Sequence, residues 1–336
     1  MKEIGMSNQV GLEAEELASQ PALSRLLKVD FLRDLILLAA WIAIVVVFSA
    51  LSPYFLTARN FMNIGLAITV YGITAVGATI VLISGGIDLT VGSVIGLAVI
   101  AVGAMLTVGA PLGIAVVGTL LVGALAGLIN GILIVRARIN PLIATLGMMS
   151  IIRGFAFVYS GGISHAIVSE EFGFLGRGRV VGIPLPILVM LLLYLIVWAI
   201  MKYTDFGHYV YSIGDNALTC RLAGVNVNKW RYIVYIVGAV SAALAGLFLA
   251  SLMQAALPQA GTGYELNVIA AVILGGTSLS GGIGNLLGTL LGVVIMGTLD
   301  NGFTLLNVPA FYQMIAKGAV LILAVFIDQL RTGGYQ

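Results

Sequence analysis

Charge is the scarcest property of this sequence. Asp, Glu, Lys and Arg make up 9% of its 336 residues, against about 25% in an ordinary water-soluble domain. A chain so poorly charged cannot present most of its surface to water, which excludes a soluble fold of this length. Cysteine is nearly missing as well: Cys220 stands alone, so no internal disulfide framework exists. The two histidines, His165 and His208, lie in polar connecting segments, and no HExxH or Cys/His ligand spacing occurs. Metal-assisted hydrolysis therefore has no ligand set. No paired acidic motif suits a membrane prenyl- or phosphotransferase, so the sequence predicts no catalytic residue, bound cofactor or metal. No lysine follows a glycine anywhere, which rules out a GxxxxGK[ST] phosphate loop. If ATP drives this protein, ATP and its Mg²⁺ sit on another polypeptide. The net charge of +2 gives no footing for nucleic acid.

What is present is apolar. Hydrophobic residues reach 60% and mean hydropathy is +1.11, with 43 glycines that let helices approach closely in lipid. A helix crosses the hydrocarbon in about 20 apolar residues. Ten candidate spans follow, near 34–52, 64–84, 89–109, 112–135, 142–160, 184–201, 231–253, 264–280, 284–302 and 310–327. The expected fold is an all-α, polytopic membrane helix bundle, with a tail at 1–33, a membrane domain at 34–328 and a second tail at 329–336. The first 33 residues carry acids and no apolar core, so they do not read as a secretory signal. The pairs 64–84/89–109 and 264–280/284–302 are joined so tightly that one member of each is a candidate for a broken or re-entrant span. With the N-terminus inside, Arg136, Arg138, Lys202, Arg221, Lys229, Arg231 and Arg331 all fall in the cytoplasm, and only Arg59, Arg177 and Arg179 fall outside. That asymmetry predicts cytoplasmic termini and a cytoplasmic segment at 202–231.

Glycines at 123, 127 and 131, and at 284, 288 and 292, write chained small-xxx-small faces. GGIDLTVG at 85–92 echoes GGTSLSGG at 275–282, either from an internal repeat or by chance in glycine-rich sequence. Intramembrane ionisable groups are costly and usually functional. Asp88 is expected at the inner end of a span, Glu265 and Asp300 near outer ends, and Arg153 and Lys317 close enough to the surface to snorkel. No carboxylate is then expected at mid-depth, which disfavours a self-sufficient carrier coupled to protons or sodium. Asn130, Thr145, Asn267 and Tyr71 are the uncharged polar groups available for a neutral, hydroxyl-rich solute; taken singly, each is better explained by an interhelical hydrogen bond.

Two polar segments remain. The outer one, 161–183, reads either as a solvated connector or as a landing surface for an extracytoplasmic partner. The inner one is YTDFGHYVYSIGDNALTCRLAGVNVNKWR, residues 203–231. Asp215 or Asn216 is placed to N-cap a helix of about two turns, with Gly224 as its left-handed stop. Leu218 and Leu222 share a face. Two turns do not hold alone, so the segment needs something to dock against.

The motifs in this segment resemble the cytoplasmic loop of ribose-type sugar permeases, the membrane subunits of bacterial ABC importers. They are Thr204-x-Phe206-Gly207, Ile213-Gly214-x-Asn216 and Arg221-Leu222-x-Gly224. The resemblance covers roughly 35–330 and includes ISGGIDLTVGS at 83–93, ATLGMMSIIRG at 144–154 and VILGGTSLSGGIGNLLGTLLG at 272–292, followed by an Asp300-Asn301-Gly302 turn. It implies a type II importer-like permease in the bacterial inner membrane. It implies as partners a cytosolic ATPase with two fused nucleotide-binding units, a periplasmic or lipid-anchored sugar-binding protein, and a second permease copy or paralogue. Gly207, Gly214, Asp215, Asn216, Arg221, Leu222 and Gly224 would then form the contact with the ATPase. Gly85, Gly86, Asp88, Gly275, Gly276 and Asn301 would form motif turns, and Asn130, Thr145 and Asn267 would line the pathway. His208, Asp215 and Ile283 depart from the family's usual arginine, glycine and arginine.

Overall fold

The structure, a computed structural model, describes residues 22–332. Those residues form twelve α-helices: α1 (Ala22–Leu51), α2 (Ala58–Ile83), α3 (Val91–Thr107), α4 (Leu112–Gly131), α5 (Pro141–Ser160), α6 (Glu170–Arg177), α7 (Leu185–Tyr203), α8 (Asp205–Leu222), α9 (Val227–Met253), α10 (Tyr264–Leu274), α11 (Leu286–Leu305) and α12 (Ala310–Thr332). Seven are long and apolar enough to cross a membrane: α1 from Asp34, α2, α4 with the π-helical turn Ile132–Arg136 that extends it, α5, α7, α9 and α11. The other three expected spans coincide with α3, α10 and α12, of which α3 and α10 are shorter, with 17 and 11 residues. Of the expected tails, 1–21 and 333–336 lie outside the described residues, while 22–33 continues directly into α1.

Helix α9 is the axis of the bundle, and its composition explains why. Gly238, Ala239, Ala242, Ala243 and Gly246 are buried and lack bulk, so three neighbours reach its backbone. Gly123 and Gly127 of α4 rest on Ala239, Ala243 and the Tyr235 carbonyl; Gly77 of α2 rests on Gly238 and Ser241; Ile95 and Ala98 of α3 rest on Gly246. The chain of glycines read at 123–131 is thus a packing seam. Gly288 and Gly292 do the same for the α10–α11 hairpin, lying against Gly275 and Ala271.

Two of the helices fall short of a span. At 1.5 Å per residue, α10 with its 11 residues extends about 16 Å, half the hydrocarbon thickness. The chain enters it by descending from the strand pair His165–Ala166 with Ala255–Ala256. Ala256 packs on Gly103 and Glu265 on Gly92, so between them the chain runs down 11 residues of α3, again about 16 Å. Glu265 therefore lies well inside the bundle, beside the first turn of α3, and the expectation that it sits at an outer end is corrected. Arg153 does not snorkel either. Its guanidinium donates to the carbonyls of Pro258 (2.9 Å), Ala260 (2.7 Å) and Gly92 (3.0 Å) and lies within electrostatic reach of Glu265. A half-buried carboxylate beside a half-buried arginine whose guanidinium already donates to three carbonyls is a structural pair, not a vacant ion site. Lys317 likewise turns inward, to Asp300 at 2.9 Å.

The expected Asp300-Asn301-Gly302 turn is a second correction: all three residues lie within α11. Asn301 needs no turn, because its amide exchanges two 2.9 Å hydrogen bonds with Asn60 of α2. The outer segment 161–183 is also more ordered than a plain connector. Ser169 caps α6, Phe172 is fully buried, and the Gly176 N–H donates to Ser251 Oγ at 2.7 Å.

Candidate functional site

The lysines and arginines of 202–231 gather at one end of the bundle, and there the polar segment takes a definite shape. It is mostly helical, where the sequence suggested a loop with one short helix. Thr204 ends α7, and Gly207 packs directly on the Met201 carbonyl, so α8 doubles back at once. The first part of α8 buries Val210 and Ile213 and lays Phe206 and Tyr209 against Trp230, at ring separations of 5.9 and 4.9 Å. At Asn216 the backbone leaves helical geometry (φ −150°, ψ 93°) and the Asn216 side chain accepts the Thr219 N–H at 2.9 Å. Asn216, not Asp215, is therefore the N-cap of a second, two-turn piece. It ends as the sequence foresaw. Gly224 adopts φ +84°, its N–H reaches the Arg221 carbonyl, and the Val225 N–H reaches that of Cys220, both at 3.0 Å. Cys220 faces inward; Leu218 and Leu222 face outward with 68% and 82% of their surface exposed, and Arg221 is exposed beside them. His208 and Asp215 are exposed too.

Beneath this piece three segments meet backbone to backbone. The Gly282 N–H donates to the Ile83 carbonyl at 2.8 Å, Gly281 lies on the Gly85 α-carbon, and Gly214 of α8 sits against both strands of the junction. Tyr211 fastens α8 to the Gly284 carbonyl at 2.8 Å. The two echoing sequences are thus in contact, and they fold alike. After α2, Gly85 (φ +76°) and Gly86 donate back to the carbonyls of Leu82 and Val81; after α10, Gly276 (φ +86°) and Thr277 donate back to Ile273 and Val272. The equivalent left-handed residues are Gly85 and Gly276, one position away from the register in which the letters align. Gly275 is instead the contact with Gly288.

The polar groups expected in the pathway separate into two sets. Asn130 is fully buried and donates to Thr90 Oγ1 at 3.0 Å, within a cluster where Asp88 Oδ1 accepts the Thr90 N–H at 2.8 Å. Thr145, also fully buried, returns its hydroxyl to the Pro141 carbonyl at 2.8 Å. Both are engaged within the bundle. Asn267 is different: with Tyr71, Tyr264, Thr262 and Lys317 it lines a cavity of about 350 Å³ between α2, α10 and α12. The Tyr71 and Tyr264 rings lie 4.5 Å apart at 38°, and Asn267 is within hydrogen-bonding reach of the Tyr71 hydroxyl.

Residues 60–325 match the family model described as the permease component of the branched-chain amino acid transport system. The chain belongs to this permease family. It is 41% identical to the ribose import permease protein of Escherichia coli strain K12 over 295 residues, covering 87% of this chain and 92% of that one. Against the ribose import permease protein of Bacillus subtilis identity is 40%, over 86% and 90% of the two chains. Against the L-arabinose ABC transporter permease protein of Azospirillum brasilense it is 38%, over 85% of each. No solved structure matches the chain.

Sequence reading missed three features of the permease site. Arg153 is legible as a charge within a span, but its three carbonyl partners lie 61, 105 and 107 residues away in sequence. Tyr264 opens a short helix and gave no periodic signal. The three-way glycine junction was visible only as a density of glycines.

Proposed function

We propose that this permease forms the translocation pathway of an ATP-driven importer for a monosaccharide or similar neutral polyol, and that residues 216–224 seat a separate ATPase. The observation that carries the reading is the capped two-turn segment, too short to persist unaided and presenting Leu218 and Leu222 outward, on a chain with no phosphate loop of its own. An ATPase with paired nucleotide-binding units would press on this segment. The glycine junction below it would carry the displacement to α2, α3, α10 and α11. Asp215, Arg221 and His208 surround the contact. The positive-inside rule puts this end, and both termini, in the cytoplasm. The relatives' names, ribose and L-arabinose permeases, support a sugar as cargo.

The cavity at Tyr71, Tyr264 and Asn267 suits such a cargo: flat aromatic faces for the C–H side of a sugar ring, and an amide for its hydroxyls. Leu266 and Met314 on its rim are 53% and 68% exposed. A cavity that holds Thr262, Asn267 and Lys317 among its apolar lining would be poorly matched to lipid, which supports a second permease copy across it. On the opposite side a sugar-binding protein would meet the ordered segment 161–183.

Reconstitution in liposomes tests the class. The permease alone should neither hydrolyse ATP nor accumulate sugar, and should gain both with its ATPase and binding protein; accumulation by the lone chain under a proton gradient would refute the proposal. Within that system, Tyr71→Ala and Asn267→Ala should each lower uptake about tenfold, the scale of one lost hydrogen bond or stacking contact. Asn130→Ala should instead lower the yield of folded protein. Normal uptake in both cavity variants would remove that cavity from the pathway.

A further inference from the structure

The corner between α4 and α5 is built around a basic hollow. Helix α4 runs into the π-helical turn Ile132–Arg136, the chain reverses through Arg138 in a left-handed conformation (φ +57°), and Asn140 caps α5 by accepting the Leu142 N–H at 2.9 Å. Opposite this corner stand the end of α8 and the start of α9. Together they enclose about 510 Å³ into which Arg138, Arg221 and Arg231 all project, with Asn140, Asn228 and Ile139 between them. No carboxylate lines this space, and none of the three arginines has an ion pair or hydrogen bond among the described residues. Arg231 is half buried and lies close enough to Arg221 for their charges to repel. Three cations held around one hollow repel unless an anion joins them, and the N-terminus of α5, with its free N–H groups, adds to the demand.

We propose that this hollow binds the phosphate headgroup of an anionic phospholipid from the cytoplasmic leaflet. Its surroundings point to a lipid over a soluble anion. Ile139 forms its rim, and the outer face of α5 continues directly from there as Leu142, Ile143 and Leu146, exposed by 44%, 65% and 42%. A headgroup on the arginines would lay its acyl chain along this track. Planar guanidinium groups suit a phosphate because they donate in pairs. Arg221 belongs to the two-turn piece of α8, whereas Arg138 belongs to the α4–α5 corner, so a bound headgroup ties the proposed ATPase seat to the membrane bundle. That consequence rests on the function proposed above; the binding itself does not.

Binding is tested on the full-length permease in neutral detergent, by melting temperature and by native mass spectrometry with added lipid. Phosphatidylglycerol should raise the melting temperature and remain bound, and phosphatidylcholine should do neither. Arg138→Gln and Arg221→Gln, both at exposed positions, should each weaken phosphatidylglycerol retention about tenfold, the effect of one lost charge-assisted contact. Leu218→Asp, outside the hollow, should retain it fully. Equal retention of the two lipids, or phosphatidylglycerol retention unchanged in an Arg138→Gln/Arg221→Gln double variant, would overturn the proposal. An equal rise in melting temperature with inorganic phosphate alone would overturn the lipid and leave a soluble anion. Because no ATPase is present, failure here is separate from failure of the transport reading.

Discussion

Gly214→Val is expected to eliminate uptake and most of the recoverable, monodisperse protein. Position 214 is helical and needs no special φ; what it needs is room. A β-carbon there would meet the Ile83 carbonyl on one side and lie 2.6 Å from the Gly282 nitrogen on the other. Both obstacles are backbone, and both belong to turns fixed by left-handed glycines, Gly85 after α2 and Gly276 and Gly281 around the 275–285 segment. Overpacking against side chains commonly costs about 1–3 kcal/mol because rotamers yield. Here no rotamer is available, and the Gly282-to-Ile83 hydrogen bond must break as well, at about 1 kcal/mol or more when its carbonyl is left buried. The same substitution at Gly147, on the exposed face of α5, meets nothing within 4 Å and serves as the control. Size-exclusion yield and melting temperature of the two variants, measured beside uptake, decide the matter. A well-folded, active Gly214→Val protein would mean that the junction is looser than its glycines indicate.

The contrast between these two glycines shows where sequence reading reached and where it stopped. Spans were legible because lipid imposes a simple requirement, some 20 apolar residues, and each expected span coincides with a helix. The end of α8 was legible because capping is local: Asn216 and Gly224 act on atoms three or four residues away. Nothing local distinguishes Gly214 from Gly147; what differs is a carbonyl contributed by residue 83. Arg153 is the same kind of case, since its depth is tolerable only because Pro258 and Ala260 descend to meet it. Glu265 was misplaced for the converse reason. The tight 264–280/284–302 pair leaves a broken or re-entrant span open, but composition does not tell which member it is: α10 begins halfway down and is entered from inside. The first half of α8 escaped notice because its polar composition hid a hydrophobic face that is anchored on Trp230. The echo was seen in its letters but one residue out of register, since hydrogen-bond geometry, not identity, sets the equivalence of Gly85 with Gly276.

The Leu218→Asp/Leu222→Asp variant should insert, fold and melt like the parent, yet lose at least about a hundredfold in ATP-driven uptake. The folding half of this expectation follows from exposure. Both side chains already face solvent, so little burial is lost. The cap at Asn216, the stop at Gly224 and the inward anchor Cys220 are untouched. The coupling half follows from what a docked leucine contributes. Fully burying one is worth about 1.5–3 kcal/mol, and a carboxylate forced into an apolar groove costs several more unless it is paired. Two such changes amount to a factor of a hundred or more in the affinity of a partner, at about 1.4 kcal/mol per tenfold. Co-purification of the ATPase with the variant should therefore fail, while the cavity at Tyr71, Tyr264 and Asn267 is unchanged. Gly224→Val separates contact from geometry. It keeps both leucines but forces a β-branched residue to positive φ, at about 1–2 kcal/mol, so the ATPase should still associate while hydrolysis and uptake lose their proportion. Parental uptake by the double aspartate variant would place the ATPase elsewhere on the molecule. Lost uptake with retained ATPase binding would confine the two leucines to transmitting force, with Arg221 and Asp215 left to hold the partner.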